Sequence, residues 1–163
     1  MRAGAGVLLG TLVFLAACGA APKPSPNAEA APAPASASGP RVVLPSGAVY
    51  AVELARTPEE QAQGLMYRES LPPHAGMIFL FTDGGAHRFW MKNTMIPLDI
   101  VWLDPQGKVI FVSSNTPPCK SDPCPSYGPQ TPAPTVLEIA GGLAAKEGIV
   151  VGATVRQVDV PGR

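Results

Sequence analysis

LDIVWLDPQGKVIFVSS, residues 98–114, holds two apolar runs separated by Asp104-Pro105-Gln106-Gly107. Asp at the first turn position, Pro at the second and Gly at the fourth are the residues that a tight turn favours. The stretch therefore predicts an antiparallel hairpin of strands 98–104 and 108–114. Outward from it, a two-residue period recurs in RVVLP (41–45), VYAVELA (49–55), MIFLF (77–81), RFWMK (88–92), TVLEIA (135–140) and ATVRQVDV (153–160). Each segment is short and rich in β-branched or aromatic residues, as strands are. About eight strands with short connections indicate a mainly β domain, a compact sandwich or barrel.

Helical signals are few. Thr57-Pro58-Glu59-Glu60 is a capping box with Pro at the first helical position, and Gly64 ends that helix after two turns at most. A second short helix is expected over 142–146, before Gly148. The chain has 163 residues, with 20 Pro and 17 Gly. That length leaves room for one ordinary domain, spanning 41–160 with a tail at 161–163. The 12 basic residues are balanced by 12 acidic ones. No large basic field exists to condense on phosphate, so nucleic acid is not an expected partner.

The N-terminus reads MRAGAGVLLGTLVFLAAC (1–18): one Arg, an apolar run over 7–17, then cysteine. The run is about half of the roughly 20 residues that a spanning helix needs, and matches a signal-peptide core over 1–17. Leu15-Ala16-Ala17-Cys18 resembles the bacterial lipoprotein box, which implies lipidation of Cys18; an ordinary secretory signal with an incidental cysteine is the alternative. Gly19 in place of Asp leans toward the outer membrane, facing the periplasm. Residues 18–40 are rich in Ala and Pro, alternating over 31–35, and cannot build a core, so they are expected to form a tether of about 25 to 70 Å. The membrane is thus an expected partner, through lipid.

Cys119 and Cys124 flank Lys120-Ser121-Asp122-Pro123, a turn-forming sequence that can bring two sulfurs together. A disulfide is expected. A redox or zinc pair is the rival, but the spacing is not Cys-x-x-Cys, and no second Cys/His pair lies at zinc spacing.

Three blocks, GLMYRESLP (64–72), GMIFLF with FWMKNTMIPLDIVWLD (76–81 and 89–104), and TVLEIAGGLAAKEGIVVG (135–152), resemble in this order the family called domain of unknown function 192. The residues that carry the resemblance include Gly64, Arg68, Gly76, Trp90-Met91-Lys92-Asn93-Thr94, Pro97-Leu98-Asp99, Glu138 and Gly148. The resemblance implies a compact β-rich domain, frequently exported, and supplies no activity, so function has to be argued from side chains.

On a strand, Arg88, Trp90 and Lys92 share one face and Phe89 and Met91 the other. This is either a half-buried edge strand or a recognition strip for a sugar, a carboxylate or a protein. Asp99 and Glu138 interrupt apolar strands, and a covered carboxylate needs a cation or several donors. Arg68, Lys92 and Arg88 are the candidate cations. Arg68, Trp90, Lys92, Asn93, Asp99 and Glu138 are therefore the candidate ligand-binding residues. The main functional reading is a non-catalytic envelope module for a small ligand, a glycan or a protein, with no cofactor and no metal. One alternative is an enzyme using the carboxylates of Asp99 and Glu138 as acid and base. Another is a copper protein using Met66, Met77, Met91, Met95, His74 and His87. No Gly-x-Ser-x-Gly elbow and no Gly-rich phosphate loop is present.

Overall fold

Residues 38–161 are described by a computed structural model. The signal segment, Cys18 and most of the tether lie outside the described residues. Strands β1 (Arg41–Val43), β2 (Val49–Ala55), β3 (Ala75–Leu80), β5 (Leu98–Leu103), β6 (Val109–Thr116), β8 (Thr135–Ala140) and β9 (Arg156–Val158) form one sheet in the order β6-β5-β8-β3-β2-β1-β9. All neighbours are antiparallel except β2 and β3, which are parallel and joined through helix α1 (Pro58–Gln63). The sheet curls until its two edges meet. Val109 N–H donates to Ala153 O (2.8 Å), Val155 N–H to Gly107 O (2.9 Å), and Lys108 bridges Thr154. Closure of this kind removes the exposed edges that would template aggregation. The mainly β, barrel-like architecture is the one the two-residue period predicts, and the described residues hold the two short helices expected from the capping box and the glycine stops.

The hairpin at 98–114 forms as expected. Gly107, at φ +81°, donates its N–H to Asp104 O, and Asp104 Oδ1 accepts from Gln106 and Lys108 N–H. The capping box also forms: Glu60 N–H donates to Thr57 Oγ1 and Glu60 Oε2 accepts from Thr57 N–H. Helix α2 (Leu143–Lys146) starts one residue later than expected. A ninth strand, β7 (Ser126–Tyr127), pairs with β4 (Phe89–Trp90) in a small second sheet. Two residues are too few to show a period, which is why sequence reading missed it.

Every position of β5 is buried. Its Val101 and Leu103 point into the barrel with Val42, Tyr50, Val52, Ile78, Leu137 and Ile139. Its Leu98, Ile100 and Trp102 point out, under a second apolar layer that holds Leu65, Met77, Phe79, Met91 and Val136. A sheet covered on both faces reads as a continuous apolar run, as LDIVWL does apart from Asp99.

Close strand packing depends on Gly76. A Cβ there would lie 2.5 Å from Glu138 O and 3.0 Å from Ile139 Cγ2. The carbonyl belongs to the β8 backbone and cannot step aside. Gly76→Ala is expected to destabilise the domain by about 1–3 kcal/mol, read as a lower urea midpoint with unchanged slope; an unaltered midpoint would contradict the packing.

Candidate functional site

The outer apolar layer is carried by loop segments around 64–68, 89–97 and 117–127. In β4, Phe89 turns inward and meets Phe79 (4.9 Å between centroids) and Trp102 (5.7 Å) edge to face. Trp90 turns outward and is 52% exposed. Lys92 Nζ lies 5.6 Å from the Trp90 ring centroid and 3.1 Å from Asp122 Oδ2. Arg88 donates to Ser126 Oγ (3.1 Å) and to the carbonyls of Ser126 (2.5 Å) and Gly128 (2.9 Å). Cys119 N–H donates to Met91 O (3.1 Å), and the Cys119–Cys124 disulfide (Cα–Cα 5.7 Å) closes the loop that carries Asp122. The loop is thus fixed at both ends beside Lys92.

Asn93 and Tyr67 both have left-handed backbones, with φ of 56° and 63°. Tyr67 N–H donates to Asn93 O (2.8 Å), which ties the two loop segments together. Around this junction Tyr67 is 67% exposed and Met95 54%. Sequence reading did not single out Tyr67, Glu53 or Asp122 as site residues, and it weighed Met95 only as a copper donor. Tyr67 and Met95 lie in aperiodic segments that carry no burial signal, whereas Glu53 was legible as a charge on an outward position of the VYAVELA alternation.

Arg68 forms a two-pronged ion pair with Glu53 of β2, the Nη2–Oε2 contact being 2.7 Å. This pairing holds the Glu53 carboxyl below its ordinary range. Arg68 is therefore spoken for by a residue other than Glu138.

Glu138 departs from expectation. It is 5% exposed, and its Oε2 is buried without a hydrogen-bond partner among the described residues. Its cross-strand neighbours are Met77 and Ile100. Gly64 passes directly over it, a Cβ there falling 3.8 Å from Oε2 and 3.1 Å from Phe79 Cζ. None of Arg68, Lys92 or Arg88 reaches it, since each is engaged elsewhere. Burial alone pushes its carboxyl up to about 8, so at neutral pH the group escapes the cost of a buried charge by keeping its proton.

Asp99 is matched, but by backbone. It is fully buried, and Oδ1 accepts from Asn115 N–H (2.5 Å) and Gly142 N–H (3.0 Å), Oδ2 from Ala144 N–H (2.6 Å). Gly142, the N-cap of α2, has no side chain with which to cap, and the carboxylate of β5 does so from across the fold. Asp99 is thus a joint between β5, β6 and α2 and stands apart from the Trp90 surface. Because Ile100 pairs with Glu138 and Asp99 with Ile139, the two carboxyls project from opposite faces of the sheet. They cannot work as an acid and base on one substrate, which removes the geometry the enzyme alternative needed.

The copper donor set is also dispersed. Met77 and Met91 are core residues, whereas Met95 is exposed. His74 packs on Tyr50 before β3 begins, and His87 stacks on Phe81 after it ends. No group of three or more His, Cys, Asp or Glu among the described residues is placed to hold a metal ion.

Comparison with known proteins points to one family. A protein of unknown function from Novosphingobium aromaticivorans is 42% identical, with 72% of this chain and 82% of that one covered at a TM-score of 0.65. A "putative transcription regulator" from Sinorhizobium meliloti is 31% identical, covering 74% and 93% of the two chains at a TM-score of 0.63. No curated protein shows a significant match. The model of the family DUF192, described as Uncharacterized ACR, matches residues 42–157, and the chain belongs to that family.

Proposed function

We propose that this chain is a lipid-anchored, non-catalytic module of the cell envelope. Acylated Cys18 would hold it in the outer membrane, the 18–40 tether would let it stand off the bilayer into the periplasm, and the Tyr67, Trp90 and Met95 surface would dock a partner protein. Nucleic acid is not a partner in this reading, since the balanced charge offers no phosphate-binding field.

The observation that supports it is the exposure of three large apolar side chains, each more than half exposed, on segments that are held in place: Trp90 on β4, Tyr67 and Met95 on the bonded loops. Mobile loops can expose such residues transiently, but these are braced by the Tyr67–Asn93 bond, the Cys119–Met91 bond and a disulfide. Aromatic residues and Met are enriched in interface cores, and a rigid presenting surface loses little entropy on association. The Lys92–Asp122 and Arg68–Glu53 pairs at the margin match the polar rim of an interface.

Trp102 is fully buried, with Nε1 bonded to His87 O (2.7 Å), so quenching by a soluble quencher reports on Trp90. A photo-reactive amino acid at position 67 of the full chain in cells is expected to give one discrete protein adduct. Trp90→Ala is expected to weaken that adduct about tenfold or more, as loss of an aromatic hot spot does. Absence of any adduct from positions 67, 90 and 95 would overturn the protein partner. A saturable shift of Trp90 emission with muropeptides would put a glycan in its place. The anchor is tested separately: Cys18→Ser is expected to release the chain from the membrane fraction, and a variant that fractionates like the parent would refute it.

A further inference from the structure

A cleft of about 620 Å³ opens where β3 ends and β8 begins, between Leu80, Phe81, Pro105, Pro134, Pro161 and Arg56. It shares no residue with the Trp90 surface. Its walls are set before any ligand arrives. Phe81 is stacked on His87 (3.5 Å between centroids, 10° between planes) and bonded through its N–H to Pro134 O (2.9 Å). Leu80 O is held by Gln61 Nε2 (2.8 Å) from the last turn of α1. Three prolines present ring carbons and no N–H donor, so a ligand would desolvate little polar surface there and freeze few rotamers.

Among the described residues that line it, Arg56 carries the one charge. Arg56 is exposed, and its guanidinium makes no hydrogen bond or ion pair among the described residues. The nearby Glu60 carboxylate feels its charge but makes no hydrogen bond to the guanidinium; Glu60 Oε2 accepts from the backbone N–H groups of Arg56 (2.7 Å) and Thr57 (2.9 Å). A mainly apolar cleft of this size, with one guanidinium and the threonines Thr82 and Thr135 among its lining residues, is the usual form of a small-molecule site. A planar fork of donors selects a carboxylate.

We propose that the cleft at Arg56 binds a small carboxylate with an apolar body, the guanidinium taking the carboxylate and Phe81 with the prolines taking the body. Titration of the full chain, followed by backbone-amide NMR, uses three probes: phenylbutyrate, the uncharged phenylbutanol, and acetate. Phenylbutyrate is expected to shift the amides of Arg56, Phe81, Thr82 and Thr135 saturably, with phenylbutanol at least about tenfold weaker and acetate without effect. Arg56→Gln is expected to bring phenylbutyrate down to the affinity of phenylbutanol, and Thr82→Trp, which fills the rim, to abolish both. Equal binding of acid and alcohol, or an Arg56→Gln chain that binds phenylbutyrate as the parent does, would overturn the role of the guanidinium. Shifts that fail to saturate, or that centre on Tyr67 and Trp90, would overturn the site itself while leaving the docking surface standing.

Discussion

Glu138→Gln is expected to remove a slope from the pH dependence of folding stability and to leave the chain more stable than the parent at pH 8. The folded carboxyl keeps its proton up to about 8, against 4.5 for the ordinary group. Between those values the native state binds more protons than the unfolded state, so stability falls as pH rises. The contribution is fully present below about pH 4.5 and is lost by the time pH has passed the folded value. A gap of one pH unit between folded and unfolded titration corresponds to about 1.4 kcal/mol, so the full window amounts to roughly 4–5 kcal/mol. Glutamine has the same size and carries no charge at any pH in this range. Parent and variant should therefore be of similar stability near pH 4 and diverge steadily toward pH 8. The lowered carboxyl of Glu53 acts in the opposite sense at acid pH, but it is present in both proteins and cancels in the difference. Urea unfolding of both chains across this range is the measurement. A constant gap at all pH values would mean that Glu138 finds a partner or is already ionised.

Asp99→Ala is expected to cost about 3–5 kcal/mol, a large share of the 5–15 kcal/mol that a domain of this kind holds. The loss has a specific origin: three backbone N–H groups, of Asn115, Gly142 and Ala144, would be left without the acceptor that joins them. Asp99→Asn should recover little, because one carboxylate oxygen becomes an amide that points a donor at a donor. A fall in melting temperature of about 10 °C or more is expected, with faster amide exchange at Gly142 and Ala144. A ligand-binding Asp99 would behave otherwise, giving a variant that folds normally and fails only to bind.

These two carboxyls show where sequence reading stopped. LDIVWL and TVLEIA are legible as covered strands, and a charge in each is legible as a question. The answers differ because the two residues face different things. Asp99 looks into the end of the barrel, where the start of α2 offers unpaired amides; Glu138 looks outward, beneath Gly64, where its Oε2 has no hydrogen-bond partner among the described residues. The face each one takes follows from the pairing of β5 with β8, and neighbours in the chain do not specify it.

The candidate site was legible in part. The outward face of Arg88, Trp90 and Lys92 follows from the two-residue alternation, and Trp90 and Lys92 meet there. Arg68 does not meet Glu138, because β2 places Glu53 closer. The exposure of Tyr67 and Met95 was not legible, because they lie on loop segments joined by the Tyr67–Asn93 bond, and loops have no period from which to read it.

By itself the sequence determined what depends on residues close along the chain: the Asp-Pro-Gln-Gly hairpin, the capping box at Thr57, the strand period and the Cys119–Cys124 loop. Each is decided by local backbone preference and short-range bonding, which a few consecutive residues carry completely. Tertiary structure alone decided which carboxyl caps backbone amides and which keeps its proton, which apolar side chains are left exposed, and where the Arg56 cleft opens. Those outcomes depend on burial and on the field at a side chain, and both are set by segments far away in the chain that come together only when the sheet closes.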